Sequence, residues 1–170
     1  GAAVEELDRI NDSRLSAVAG KVAGAMLKGA RGNSGVLMSL LFRGISRRLG
    51  ECAAATPLEM AEAMGDGVEA AYKATMKPAE GTILTVSRMA AAAAKAEAER
   101  SGSMEKTLAA AYAAALAALK ETPTQNEVLA KAGVVDAGGM GYVLILQGFV
   151  DGLRGKVAAA AETAGTAPAR

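Results

Sequence analysis

The sequence predicts an all-α fold, an antiparallel up-and-down bundle or closed barrel of helices, and three observations carry that prediction. Apolar residues recur at helical spacing in each long segment, while no short stretch alternates as a strand would. The composition is 51% apolar but only 3% aromatic, with no Trp, so the core must be aliphatic, mostly Ala, Leu, Val and Met. Such small side chains let helices pack closely. The links between helical segments are short, which makes neighbouring helices antiparallel.

In chain order, residues 3–10 read as a short helix. Residues 14–29 place Leu15, Val18, Ala19, Val22, Met26 and Leu27 at helical spacing, and residues 34–49 do the same with Val36, Leu37, Leu40, Leu41, Ile45 and Leu49. Thr56-Pro57-Leu58-Glu59 is a helix start, with Thr56 as cap, Pro57 in the first helical position and Glu59 in the third. That helix is expected to run to about Met76 and stop before Pro78. A helix over 82–100 ends near Ser101-Gly102, and Ser103 caps one over 104–121 that stops before Pro123. Residues 124–132 make a short helix and 138–153 the last long one. The Ala-rich stretch 156–170 has little to bury and reads as a frayed tail or linker after a domain over 1–155. The Ala runs at 90–98 and 109–118 read as helix propensity and close packing. No repeat of fixed period argues for a solenoid.

Charge and chemistry narrow the function. Nineteen basic against 18 acidic residues leave a net charge of +1, which gives no support for a nucleic-acid or anionic-membrane partner. No apolar run is long enough to span a bilayer, and no signal peptide is present. One cysteine, Cys52, rules out an internal disulfide framework, suits a reducing, cytoplasmic setting and reads as inert packing. The absence of His removes the commonest general base and metal ligand, and with it a Ser-His-Asp triad and a zinc site. Any chemistry must rest on carboxylates, Lys, Arg, hydroxyls and backbone amides, and any metal must be a hard cation such as Mg²⁺ held by oxygens. The chain begins with Gly, which suggests a trimmed fragment.

Three connections have unusual compositions: Gly29–Gly35, with sequence GARGNSG; residues 76–85, MKPAEGTILT; and residues 133–141, GVVDAGGMG. If the short 124–132 segment counts as a helix, the starts of the helices at 34, 82 and 138 fall at one end of the bundle and face one mouth. A helix start offers unpaired N–H groups and the positive end of a dipole, so it binds anions. Gly32, Asn33, Ser34 and Gly35 therefore form a candidate anion cradle, with Arg31 to add charge-assisted bonds to phosphate. Gly81-Thr82 opens a second helix beside Lys77 and Glu80. Gly138-Gly139 opens a third after Asp136, which either caps that helix or accepts from a sugar hydroxyl. Plain structure explains each loop alone equally well: glycines as C-caps and turns, Asn33 or Ser34 as an N-cap. No Walker A or protein-kinase signature is present.

Taken together, GARGNSGVLMSLLFRG, AYKATMKPAEGTILTV and AGVVDAGGMGYVLILQG closely resemble the Dak-type nucleotide-binding domain of the ADP/ATP-binding subunit of dihydroxyacetone kinases. The version here is most similar to the N-terminal domain of bacterial fatty-acid kinases, over about residues 14–155. The resemblance implies an eight-helix antiparallel closed barrel with ATP or ADP and Mg²⁺ at one mouth. It implies phosphoryl transfer from ATP to the carboxylate of an acyl chain presented by a separate fatty-acid-binding protein, and further domains in the parent chain. By position, Gly32, Asn33 and Ser34 meet the phosphates or the adenine edge. Lys77, Glu80, Gly81 and Thr82 line the same mouth, and Asp136, Gly138 and Gly139 close over the nucleotide. One departure stands against this match. The family carries an Asp-rich loop, Pro-Asp-Gly-Asp-Thr-Gly-x-Asn, whose carboxylates hold Mg²⁺, and Asp8 and Asp12 do not fit its pattern. The expectation is therefore a barrel without its first helix and metal loop, inactive alone, with no metal ligand and no catalytic residue assigned. A dihydroxyacetone-kinase-type subunit and a non-catalytic nucleotide- or partner-binding module are the alternatives.

Overall fold

The computed structural model describes residues 32–50 and 54–154, with the isolated positions Lys21, Gly24, Ala25 and Lys28. The helix expected at 3–10, most of that at 14–29, Gly29, Arg31, Cys52 and the tail 156–170 lie outside the described residues. Those residues contain six helices and no strand: α1 (Gly32–Leu49), α2 (Pro57–Lys73), α3 (Ile83–Ser101), α4 (Met104–Gln125), α5 (Glu127–Ala132) and α6 (Ala137–Leu153). The all-α, up-and-down expectation holds, and the arrangement is consistent with a helical barrel.

From α1 to α5 each helix packs against the next, while α6 does not pack on α5 but returns against α4, α3 and α1. Directions follow from the contacts. Arg48 of α1 reaches back to Glu62 of α2 at 2.7 Å, so these two run antiparallel. A Cβ on Gly44 would strike the Gly67 backbone, so the two helices cross with almost no side chain between them. Arg154, just past α6, pairs with Glu105 at the start of α4 at 2.9 Å, so α4 and α6 are antiparallel too. By contrast α6 and α1 run parallel. A Cβ on Gly138 would lie 2.9 Å from the Ser34 hydroxyl. Further along the same pair of helices, Phe42 and Phe149 meet edge to face with ring centroids 6.3 Å apart.

The core is aliphatic, as the composition requires. Leu41, Ile45, Leu49, Met64, Val68, Ile83, Leu84, Val86, Leu108, Leu119, Val143, Leu146 and Val150 are buried with nine alanines of α2 to α4. Phe42 and Tyr142 are the aromatic exceptions, Tyr142 being the largest side chain fully buried. Truncating a buried leucine such as Leu41 to Ala costs about 2–5 kcal/mol in cores of this kind. Buried hydroxyls mostly return to their own helix: Ser39 donates to the Val36 carbonyl at 2.7 Å and Ser87 to that of Leu84 at 3.1 Å.

Three boundaries differ from expectation. α2 stops at Lys73 rather than near Met76. The Thr75 hydroxyl takes the Ala71 carbonyl at 2.8 Å, the Thr75 amide turns to Tyr72, and Met76 is left fully exposed. Pro123 does not end α4, which continues to Gln125. Proline removes the amide that would bond the Leu119 carbonyl four residues back. The Thr122 hydroxyl supplies that bond instead, at 2.7 Å. The short helix then begins at Glu127, after Asn126 has capped it, rather than at 124.

Candidate functional site

The starts of α1, α3 and α6 lie at one end of the bundle, with the ends of α2 and α4 between them. Ser34, at the start of α1, touches Gly138, at the start of α6. A Cβ on Gly139 would lie 2.9 Å from Val86 Cγ2 on α3 and 3.2 Å from Leu119 Cδ1 on α4. A Cβ on Gly81 would lie 2.7 Å from the Thr122 carbonyl oxygen and 3.0 Å from Gln125 Cβ. The three glycine loops therefore neighbour one another through the last turn of α4.

The helix starts are not equivalent. Five are capped by their own side chains. Thr56 accepts from the Glu59 amide, Thr82 from Leu84, Ser103 from Lys106, Asn126 from Val128 and Asp136 from Gly139. At the start of α1 no described side chain accepts from the first-turn amides, and the first turn carries no acid. Gly32 opens that helix at φ +72° with open space where a Cβ would stand, and Gly32, Asn33 and Ser34 are exposed, with Gly35 partly buried. Any attraction this end offers an anion would come from these N–H groups and not from a net helix dipole, because α2 and α4 bring their negative ends to the same place.

Around Gly81 the arrangement is tightly held. Gly81 takes φ +74°, and its amide donates to the Thr85 hydroxyl at 2.9 Å. Thr85 in turn donates to Glu80 Oε2 at 2.7 Å. The Arg88 guanidinium also donates to Glu80 Oε2, at 2.9 Å, and its Nε donates to the Tyr72 hydroxyl at 3.2 Å. Tyr72 donates to Glu80 Oε1 at 3.3 Å. The Thr85 bond, helped by Arg88 and Tyr72 against the cost of partial burial, holds the Glu80 carboxyl below its ordinary range. Thr82 caps α3 and donates its hydroxyl to the Ala79 carbonyl at 2.8 Å. Lys77 is exposed and forms no ion pair with a described residue.

Asp136 caps α6, its Oδ2 accepting from the Gly139 amide at 2.8 Å. Gly138 and Gly139 are buried, and their missing side chains let α6 close on Ser34, Val86 and Leu119. Of the residues singled out in the sequence, Ser34 at the start of α1 meets Gly138 at the start of α6, beside Gly139 and the cap Asp136; no contact to them is seen from Gly32, Asn33 or Gly35. Gly81 joins them across α4, with Glu80 and Thr82 beside it and Lys77 further out in the connection. Sequence reasoning missed Thr122, Thr85, Arg88 and Tyr72. For Thr122 a signal existed: a hydroxyl residue directly before a proline inside a helical run, where a carbonyl must lose its amide partner.

Among the described residues no three of His, Cys, Asp and Glu gather as a metal site. The carboxylates nearest this end, on Glu80 and Asp136, already accept from protein donors. The described residues do not by themselves fit a magnesium site. An anionic group is chemically compatible with the first-turn amides of α1, from which no described side chain accepts. One surface recess lies over Gly44, Asp66 and Lys73; another runs over Tyr112, Leu116 and Ala117 and reaches Thr85, Arg88 and Gln125 beside Gly81.

Residues 1–151 match the family model of the DAK2 domain. Protein YloV of Bacillus subtilis is 40% identical over 151 residues, 89% of this chain and 27% of that protein. The uncharacterized protein SSP1546 of Staphylococcus saprophyticus is 44% identical over 135 residues, 79% of this chain and 24% of that protein. The uncharacterized protein SAB1090 of Staphylococcus aureus is 38% identical over 152 residues, 89% of this chain and 28% of that protein. The chain thus spans about a quarter of the length of these relatives.

Proposed function

The chain belongs to the DAK2 domain family, a kinase-associated family, and on that premise we propose that it is the ATP-binding domain of a kinase resembling fatty-acid kinase. Its proposed reaction moves the γ-phosphate of ATP to an acyl carboxylate presented by a fatty-acid-binding partner protein. The observation that carries this reading is the meeting of three glycine-bearing helix starts at one end, with the amides of α1 free of any described side-chain cap. In phosphoryl transfer the protein mainly positions the phosphates and neutralises charge. Gly32, Asn33, Ser34 and Gly35 bind phosphate oxygens through backbone N–H groups and the Asn33 and Ser34 side chains, with Arg31 as the cationic partner. Gly81 and Thr82 form the opposite lip, fixed by Glu80, while Lys77 supplies a mobile positive charge to the nucleotide. Asp136, Gly138 and Gly139 form the wall behind Ser34. Magnesium, when bound, supplies counter-charge to the phosphates.

The test is calorimetric titration with ADP and magnesium. Asn33→Ala with Ser34→Ala is expected to weaken binding about tenfold or more, the worth of one or two hydrogen bonds to a charged group, without unfolding the bundle. Unchanged affinity would remove these two residues from the phosphate site.

A further inference from the structure

We infer that Thr122 is a positioning residue that sets the α6 wall of the mouth against the Gly81 lip. The inference rests on the nucleotide reading above for its functional half, and on geometry alone for its structural half. Thr122 is completely buried in the last turn of α4. Its hydroxyl has one proton to give, and the structure shows where it goes: to the Leu119 carbonyl at 2.7 Å, the acceptor that Pro123 leaves without an amide. The hydroxyl oxygen is then oriented as an acceptor, and the Asp136 amide donates to it at 3.1 Å, across 14 residues of chain. Asp136 is the residue that caps α6 through the Gly139 amide at 2.8 Å. The backbone carbonyl of the same Thr122 is what the missing Cβ of Gly81 makes room for, at 2.7 Å.

One residue therefore touches both loops: its hydroxyl holds the start of α6, and its carbonyl is the surface on which Gly81 rests. Pro123 strengthens this arrangement without creating it. Ser39 and Ser87 make the same bond to a carbonyl three residues back with ordinary amides following them. At Thr122 the proline leaves the Leu119 carbonyl without its helical amide, so the hydroxyl takes that place while the Asp136 amide meets its lone pair.

The proposal separates from plain core packing through the pair Thr122–Pro123. Thr122→Val keeps the shape and removes the hydroxyl, leaving both Leu119 O and Asp136 N without it. Adding Pro123→Ala returns an amide to Leu119 O and so restores the helix, but nothing restores the acceptor for Asp136 N. Thr122→Ser keeps the hydroxyl. Amide hydrogen exchange by NMR and ADP affinity with magnesium are measured on the wild type, Thr122→Ser and the double variant. In the double variant, exchange at Asp136 and Gly139 is expected to quicken about tenfold or more while the α2 and α3 core amides stay protected. ADP affinity is expected to fall about tenfold, and Thr122→Ser to stay within about twofold of wild type on both readouts. Unchanged exchange at Asp136 and Gly139 would overturn the inference, as would a double variant that binds ADP as the wild type does. If the wild type itself binds no ADP, the nucleotide reading falls, and exchange at Asp136 and Gly139 alone decides the role of Thr122.

Discussion

Glu80 accepts from more side chains than any other described carboxylate with bonds on view, and its burden has a measurable consequence. Thr85, Arg88 and Tyr72 all donate to it, and the Thr85 bond leads in holding its pKa below the ordinary 4.5. A carboxyl whose folded pKa is depressed contributes stability above its unfolded pKa and loses it as pH falls through the folded one. The stability difference between wild type and Glu80→Gln should therefore be constant above about 4.5 and shrink as pH drops below that value. Urea denaturation across that range measures it, and a difference independent of pH would mean that the bonds from Thr85, Arg88 and Tyr72 do not favour the ionised Glu80 carboxylate. Asp136 makes a separate prediction. As the cap of α6 it should cost about 1 kcal/mol when changed to Ala, while Asp136→Asn, which also caps well, should cost much less. Equal losses would show that the Gly139 bond is not what Asp136 contributes.

Between helices, the tightest constraint is the absence of side chains. Gly139→Ala would place a methyl 2.9 Å from Val86 Cγ2 and 3.2 Å from Leu119 Cδ1. We expect a loss of about 1–3 kcal/mol, the usual cost of overpacking, and partial recovery with Val86→Ala. Thr107 points the other way. Its hydroxyl, in the first turns of α4, is buried and finds no hydrogen-bond partner among the described residues. Thr107→Val should therefore stabilise by about 1 kcal/mol, because an orphaned hydroxyl costs more than it returns. Loss of stability in that variant, read by thermal unfolding, would mean that Thr107 has a partner. These packing details mark the boundary of what the sequence discloses. Caps at Thr56 and Ser103 could be read directly, because capping is a local chemistry with a short signature. The reach of α4 past Pro123 was missed because helix-stop rules take no account of a side-chain hydroxyl replacing the lost amide, although Thr122 before Pro123 was a signal for it; the early end of α2 lies in the Thr75 hydroxyl in a similar way.

For the molecule as a whole, alternation of direction does most of the organising. α1, α3 and α6 point one way and α2 and α4 the other, so the three glycine loops reach a common end. The sequence expectation tied that common end to counting 124–132 as a helix, and there the counting fails: strict alternation with α5 included would turn α6 the other way, and the starts meet because six-residue α5 does not act as a separate leg. Nor did the sequence disclose how the loops divide their tasks. Gly138 and Gly139 looked like ligand-approach glycines, yet their neighbours are protein atoms of Ser34, Val86, Leu119 and Asp136. Glu80 stood out as an acid beside a glycine turn, yet its oxygens are engaged by Thr85, Arg88 and Tyr72. Gly32, by contrast, has open space before it, and the α1 amides lack a described cap. The central claim is that this end of the bundle is a nucleotide mouth built on the start of α1. A backbone NMR titration with ADP and magnesium tests it most directly. Saturable shifts concentrated at 32–35, 81–82 and 136–139 are the predicted result. Shifts that never saturate, or that gather at the opposite end around Gly102, Ser103 and Arg154, would contradict it.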